Sequence, residues 1–231
     1  MNKFYDPGEA RSQKVRELFT RIAPRYDLIN DLQSLGLHRA WKRTVVRLAN
    51  VRAGDCALDV CCGSGDLTLA FESRGVKAIG LDFTPAMLKC AAERGAHCLV
   101  QGDAQTLPFP GDTFNVVTVG YGLRNLPNWE RGLEEMCRVA RPSGRLIVLD
   151  FGKPDNAVWR AVYFGYLRLA VPILGRVFCG NAAAYAYILE SLRHYPAQRG
   201  VAEKMTQMKC ADVRTVNLLG GAMSINYCVK Q

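Results

Sequence analysis

The chain has 231 residues, 49% of them apolar and 22% charged, enough to bury a substantial core, which excludes a disordered or fibrous class. A net charge of +9 suggests either a polyanionic neighbour (nucleic acid or an anionic lipid surface) or a solvated basic face. Nine cysteines without a C-x-x-C pair exclude a disulfide frame or a zinc ribbon, and imply free thiols in a reducing, cytoplasmic compartment with no bound metal.

The first quarter, residues 1–52, holds eleven Lys/Arg against five Asp/Glu, so most of the excess charge lies there. Its start, M-N-K-F-Y-D-P-G, lacks the apolar core of a signal peptide. Val15, Leu18, Phe19 and Ile22 form a helical stripe over 10–22 that Pro24 ends, and a second helix carries Leu37, Trp41, Val45 and Leu48. Preceding the first strand, these helices are expected to cap the carboxyl edge of a sheet. Tyr26, Asp27, Asn30, Asp31 and His38 are its polar groups, readable either as site residues or as helix caps and turns.

From Asp55 the pattern alternates. Strands over 56–61, 76–81, 97–101, 114–119 and 145–151 are separated by helices over 66–74, 85–94 and 128–140 and by a loop over 102–110. The turn Arg141-Pro142-Ser143-Gly144 precedes the fifth strand. Such alternation predicts a parallel sheet covered on both faces, with ligands outside the carboxyl ends of its strands. An aromatic and basic insertion over 153–195 follows. A helix over 197–209 and two runs, Val213–Leu219 and Ala222–Val229, then close the sheet as a hairpin. The expected organisation is one domain: cap 1–52, cofactor-binding half 53–152, lid insertion 153–195, and C-terminal helix and hairpin 196–231. The insertion is cut by Arg160, Arg168, Pro172 and Arg176, which argues against a membrane span.

The sheet is organised around L-D-V-C-C-G-S-G-D (58–66), a strand, a glycine turn and a helix start. Gly63 and Gly65 let the backbone approach a ligand, and the new helix offers N–H donors. Asp82, seventeen residues after Gly65 and followed by Phe83, is placed to accept bonds from a ribose diol. Thr68 stands where a dinucleotide fingerprint wants a third glycine, and no G-K-[ST] triplet occurs. Cys61 and Cys62 are expected to pack rather than react.

The D-x-x-C-G-S-G turn with Asp82 and Gly102-Asp103-Ala104 resembles the nucleoside edge of S-adenosylmethionine-dependent methyltransferases. Three further segments, I-A-P-R-Y-D-L-I-N-D-L-Q-S-L-G-L-H-R-A-W-K-R (22–43), G-D-A-Q-T-L-P-F-P (102–110) and V-T-V-G-Y-G-L-R-N-L (117–126), resemble the ubiquinone/menaquinone biosynthesis C-methyltransferases. L-D-V-C-C-G-S-G-D-L with V-G-Y-G-L-R-N is most similar to the branch that methylates naphthoquinols. The resemblance implies a class I methyltransferase fold of seven mostly parallel strands, S-adenosylmethionine as cofactor, and methyl transfer to a ring carbon of a prenylated quinol. The expected cofactor contacts are Asp59, Gly63, Ser64, Gly65, Asp82, Phe83, Asp103, Ala104 and Gly120. Gly120 departs from relatives that carry serine there, and it can offer only backbone.

For carbon methylation a quinol hydroxyl must lose its proton. The resemblance implies Arg124, acting through water, with Tyr26 and Asn125 nearby. Arginine does not deprotonate readily, so its expected part is stabilising a phenolate, with Asn125 and Tyr26 orienting the ring. His38 remains an open candidate for the base, and Asn125 can also be read as a turn cap. The insertion reads as a surface for an anionic membrane or wall for an isoprenoid tail, as the face of a homodimer, or as core. An RNA methyltransferase would bring [DN]-P-P-[YF] or a cysteine after the fourth strand, where this chain has G-Y-G-L, so nucleic acid is not the expected partner. A small-molecule O- or N-methyltransferase and a non-catalytic cofactor-binding subunit are the other readings.

Overall fold

The computed structural model describes Asp6, residues 10–179 and residues 182–231, without the side chains of Ile29, Cys179, Ala182 and Ala183. Seven strands, β1 (Cys56–Val60), β2 (Lys77–Asp82), β3 (Leu99–Gln101), β4 (Phe114–Gly120), β5 (Ala140–Phe151), β6 (Ala211–Leu218) and β7 (Met223–Val229), form one sheet ordered β3-β2-β1-β4-β5-β7-β6. β7 runs antiparallel between β5 and β6, and the pairings among β1–β5 are parallel. The order reverses at β1, which opens a crevice at the carboxyl ends of β1 and β4.

Side chains alternate across this sheet as a pleated strand requires. Leu58, Val117, Leu146 and Val148 enter one core, while Ala57, Val116, Ile147 and Leu149 enter the other. Both faces are buried, which is why these strands read as unbroken apolar runs.

Helices α1 (Arg11–Ile22), α2 (Tyr26–Ser34) and α3 (Leu37–Ala49) precede the sheet, with a short 3-10 turn over Ala23–Arg25 at Pro24. α3 departs from the expected cap. Its Val45, Val46 and Ala49 are buried with Leu67 and Phe71 on the sheet face, so only its first turns reach the strand ends. The 141–144 turn also differs. It lies inside β5 as a bulge: Ala140 pairs with Phe114, then Arg145 with Val116, with Ser143 left-handed at φ 63°.

The other helices are α4 (Asp66–Glu72), α5 (Pro85–Glu93), α6 (Trp129–Val139), α7 (Ala157–Cys179), α8 (Ala182–His194) and α9 (Ala197–Gln207). The insertion is therefore a helical hairpin. α7 is long and apolar enough to cross a bilayer, yet its Tyr163, Leu167 and Val171 are buried in the protein core, and Pro172 sits inside it without ending it.

Candidate active site

Two cavities meet above the crevice. The first is walled by the strand ends, with Gly63, Asp82, Phe83, Asp103, Ala104 and Gly120, and is closed by Ser12, Val15 and Phe19 of α1 and by Tyr26. Gly63 is left-handed at φ 57°, and a Cβ there would stand 3.4 Å from the Met87 methyl and 3.8 Å from the Tyr26 ring. Its N–H donates to Asp82 Oδ2 at 2.9 Å, and Thr84 N–H donates to Oδ1 at 2.8 Å. The Thr84 hydroxyl and the Phe83 N–H also support this carboxylate, which stands in the wall where a diol would meet it. A Cβ on Gly120 would lie 3.2 Å from Leu67 Cδ1, so Leu67 would have to yield before this wall could carry a side chain.

Three candidate cofactor contacts sit behind this wall. Asp59 is buried, accepting from Thr68 N–H (3.2 Å), Thr68 Oγ1 (3.0 Å) and Thr118 Oγ1 (3.0 Å). Burial pushes its carboxyl up to about 7 against those hydrogen bonds. Ser64 donates to Asp27 at 2.7 Å and accepts from Arg94 at 3.0 Å. Gly65 packs α4 on α5, its Cβ position 3.1 Å from Ala91 Cβ. Asp59 and Ser64 line a small recess next to the first cavity, with Tyr26, Lys42 and Tyr121, and Gly65 lines neither.

Cys61 and Tyr121, left-handed at φ 54° and 63°, leave β1 and β4 at the same level. A Cβ on Gly122 would be 2.4 Å from that of Cys61, so only glycine lets the two strand ends come this close. Burial, reinforced by Asp82, Asp59, Asp103 and Asp150, raises the Cys61 thiol well above its ordinary value, which keeps it inert. Asp82 and Asp103, in the wall of the first cavity, make the crevice a favourable place for a cation.

The second cavity, about 630 Å³, lies between α2, α3, α7 and α8 and is lined mostly by apolar and aromatic side chains. Phe19, Tyr26 and Tyr121 belong to both cavities and mark where they join. Arg124, 6% exposed, lies in the wall of the second cavity and Asn125 in that of the first. Arg124 Nη1 pairs with Asp150 Oδ1 at 3.1 Å and with the Tyr121 carbonyl, its guanidinium stands 4.6 Å from the Phe151 ring centre, and its N–H donates to Asp150 Oδ2 at 3.1 Å. Arg11 of α1 donates to the Arg124 carbonyl at 2.6 Å. Burial lifts Asp150 while the Arg124 charge opposes it. Tyr26 is pushed up to about 12 by burial against a hydrogen bond with Asn30. Arg124 Nε, the Tyr121 hydroxyl and Asn125 Oδ1 are buried without a partner among the described residues, so the junction is lined by polar atoms that still need one.

Sequence reasoning left Tyr121, Gly122 and Asp150 without a role in the site, and placed Asn30 among the polar groups of the cap without its bond to Tyr26. The Y-G pair just beyond a strand was the available signal for the first two. Asp150 looked like a strand end, and only the pairing of β4 with β5 brings it to Arg124.

These cavities, on this strand order, define a class I S-adenosylmethionine-dependent methyltransferase fold. An S-adenosylmethionine-dependent methyltransferase of Thermotoga maritima superposes with TM-score 0.67 at 15% identity, covering 93% of this chain and 99% of that one. The model of the ubiE/COQ5 methyltransferase family matches residues 8–230, and the chain belongs to that family. A demethylmenaquinone methyltransferase of Shouchella clausii is 36% identical over 232 residues, 96% of this chain and 99% of the relative. A ubiquinone/menaquinone biosynthesis C-methyltransferase of Azotobacter vinelandii is 39% identical over 235 residues, 97% and 92% of the two chains.

Proposed function

We propose that the protein methylates a ring carbon of a prenylated quinol in quinone biosynthesis, of the demethylmenaquinol type, with S-adenosylmethionine as methyl donor. The observation that carries this reading is the junction at Tyr26 and Tyr121 between a carboxylate-lined crevice and an apolar cavity of about 630 Å³. The crevice suits the donor: Asp82 and Asp103 line it with carboxylates, Gly63 leaves room beside Met87, and Ala104 follows Asp103 beyond β3. When bound there, the donor supplies an activated methyl group on a cationic sulfur.

The chain's own part is positioning, exclusion of water and charge. Arg124, held between Asp150 and the Tyr121 carbonyl, acts by stabilising negative charge on the quinol oxygen. Tyr26 and Asn125 hold the ring, and the apolar cavity takes the isoprenoid tail. Exposed apolar side chains of α7 and the α2–α3 turn, with arginines beside them, support work at the cytoplasmic face of an anionic membrane. The eight cysteines with described side chains are free thiols, in keeping with a reducing compartment.

Labelled S-adenosylmethionine with a panel of demethylated naphthoquinols and benzoquinols tests the reading. Label on a ring carbon of a prenylated quinol is the expected result. Label only on oxygen, or only on RNA, would replace it by one of the other methyltransferase classes.

A further inference from the structure

We propose that His38, held by Asp31, is the base that takes the hydroxyl proton of the quinol, an inference that rests on the quinol reading above. His38 is 4% exposed and stands in the wall of the second cavity with Tyr26, Tyr121 and Arg124. Its Nε2 is 2.8 Å from Asp31 Oδ1. Asp31 is clamped from its other side by Arg39, Nε at 3.0 Å and Nη2 at 2.6 Å. A carboxylate accepts only, so Nε2 carries a proton, and in the neutral ring Nδ1 is the nitrogen with the free lone pair. Nδ1 is buried and has no partner among the described residues. A buried acceptor without a donor is costly; Asn30 Nδ2, Gln33 Nε2 and the Tyr121 hydroxyl are unpartnered in the same wall but do not bond it, and a ligand in this cavity would bring its own hydroxyl.

The alternatives nearby do not serve. Arg124 is a guanidinium paired with Asp150, burial raises Tyr26 to about 12, and Asp59 lies beneath the glycine turn on Thr68 and Thr118. His97 and His194 lie elsewhere, beside Glu72 and Glu190. Lys42, one turn along α3 from His38, pairs with Asp66 and stands 5.7 Å from the Tyr121 ring centre, which ties this face of α3 to the junction of the cavities. The remaining groups facing His38 are cations (Arg39), a carboxyl held low (Asp31, by His38 first), and tyrosines raised by burial (Tyr121, and Tyr163 and Tyr166 on α7). Tyr185 and Tyr187 reach the same cavity from α8.

In the step proposed, the proton of the hydroxyl next to the target carbon moves to His38 Nδ1, and the O–H electron pair shifts into the ring. The target carbon forms its bond to the methyl group as the bond from methyl to sulfur breaks, sulfur keeping that pair. Loss of the ring C–H proton to solvent and return of the His38 proton to oxygen restore the quinol, so one proton is released per methyl transferred. Asp31 is the positioning residue.

His38→Gln places an amide N–H where Nε2 now meets Asp31, and so keeps the tether while removing the base. Asp31→Asn would donate to Nε2 and drive the ring proton onto Nδ1. Both variants are expected to melt near wild type and to lose about 10²–10³ in kcat with KM within about threefold. The acidic limb of the wild-type rate profile, which ends in a plateau once the base is free, should give way in His38→Gln to a rate that keeps rising with pH. A second measurement uses no methyl donor: 1-naphthol bound to the wild type should show its naphtholate absorbance at lower pH than when bound to His38→Gln. A kcat for His38→Gln within about threefold of wild type with the limb intact, or identical naphtholate curves, would overturn the proposal. Wild type that labels no quinol would sink the quinol reading instead, and the naphthol measurement would still decide whether His38 takes a phenolic proton.

Discussion

On the proposed reading Asp82 serves the first cavity and Arg124 the second, and their substitutions should separate the two roles. Asp82→Ala removes a charged acceptor at the tip of β2, and charged hydrogen bonds contribute about 1.5–3 kcal/mol. Binding of S-adenosylhomocysteine, measured by calorimetry, should weaken at least about tenfold. Arg124→Ala should leave that binding within about threefold while kcat falls about 10²–10³. The reverse pattern would mean the two roles are exchanged. Asp150 is a different case, because it is 2% exposed and its partner is 6% exposed. Asp150→Ala strands a buried guanidinium and should cost about 3–5 kcal/mol in urea unfolding. Loss of under about 1 kcal/mol would show that Arg124 finds water or another acceptor.

At the level of elements, the cap is latched to the donor crevice by ions. Arg94 joins Asp27 of α2 (3.1 Å) to Asp66 at the start of α4 (2.5 Å), and Lys42 of α3 pairs with the same Asp66. Burial alone would raise Asp66, but Lys42 and then Arg94 outweigh it and hold the carboxyl down at about 2. A carboxyl depressed in the folded state stabilises above its unfolded value of 3.8 and loses that contribution as pH falls through about 2. The shift corresponds to about 2 kcal/mol. Asp66→Asn should therefore be less stable than wild type by about that amount at pH 7, with the gap closing below about pH 3. Denaturant titrations at both pH values measure it, and a gap that persists in acid would locate the effect in packing instead.

Across the whole molecule, the exposed large apolar side chains gather on one side. Val158, Val162, Leu169, Ile173 and Val177 line the outer face of α7, Leu35 (87% exposed) tips the α2–α3 turn, and Leu219 lies where Trp159 donates to its carbonyl. Tyr166 of α7 donates to the Gln33 carbonyl of α2 at 3.0 Å, joining these pieces, and Leu35, Trp159 and Leu219 also line the second cavity. The second cavity thus opens on the apolar face, where the proposed function would have a lipid-borne substrate enter. Leu169→Gln, Ile173→Gln and Val177→Gln together should weaken binding to anionic vesicles at low salt by at least about tenfold, since burying each side chain is worth about 1.5–3 kcal/mol. Turnover of a short-chain quinol should stay within about twofold. A wild type that ignores the vesicles and sediments as a dimer, with a monomeric variant, would assign the face to a second copy.

The strands, the glycine turn and the family were legible because they are local in the chain. An apolar run buried on both faces, a turn that needs Gly63, and a strand end carrying Asp82 each declare themselves within a few residues. The hairpin of β6 and β7 was equally plain from the Gly220-Gly221 break. Other features depend on which distant segments touch. The sequence could not show that α3 turns from the cap onto the sheet face, that Asp150 meets Arg124, or that Asp59 is held by Thr68 and Thr118 beneath the glycine turn. His38 is the sharpest instance: on one strip of sequence it is a polar residue near a helix start. Packing α2 and α3 against α7 and α8 buries it beside Asp31 with one nitrogen unpartnered. Local propensity and periodicity write the elements, whereas burial and charge pairing are properties of neighbours that only the folded chain brings together.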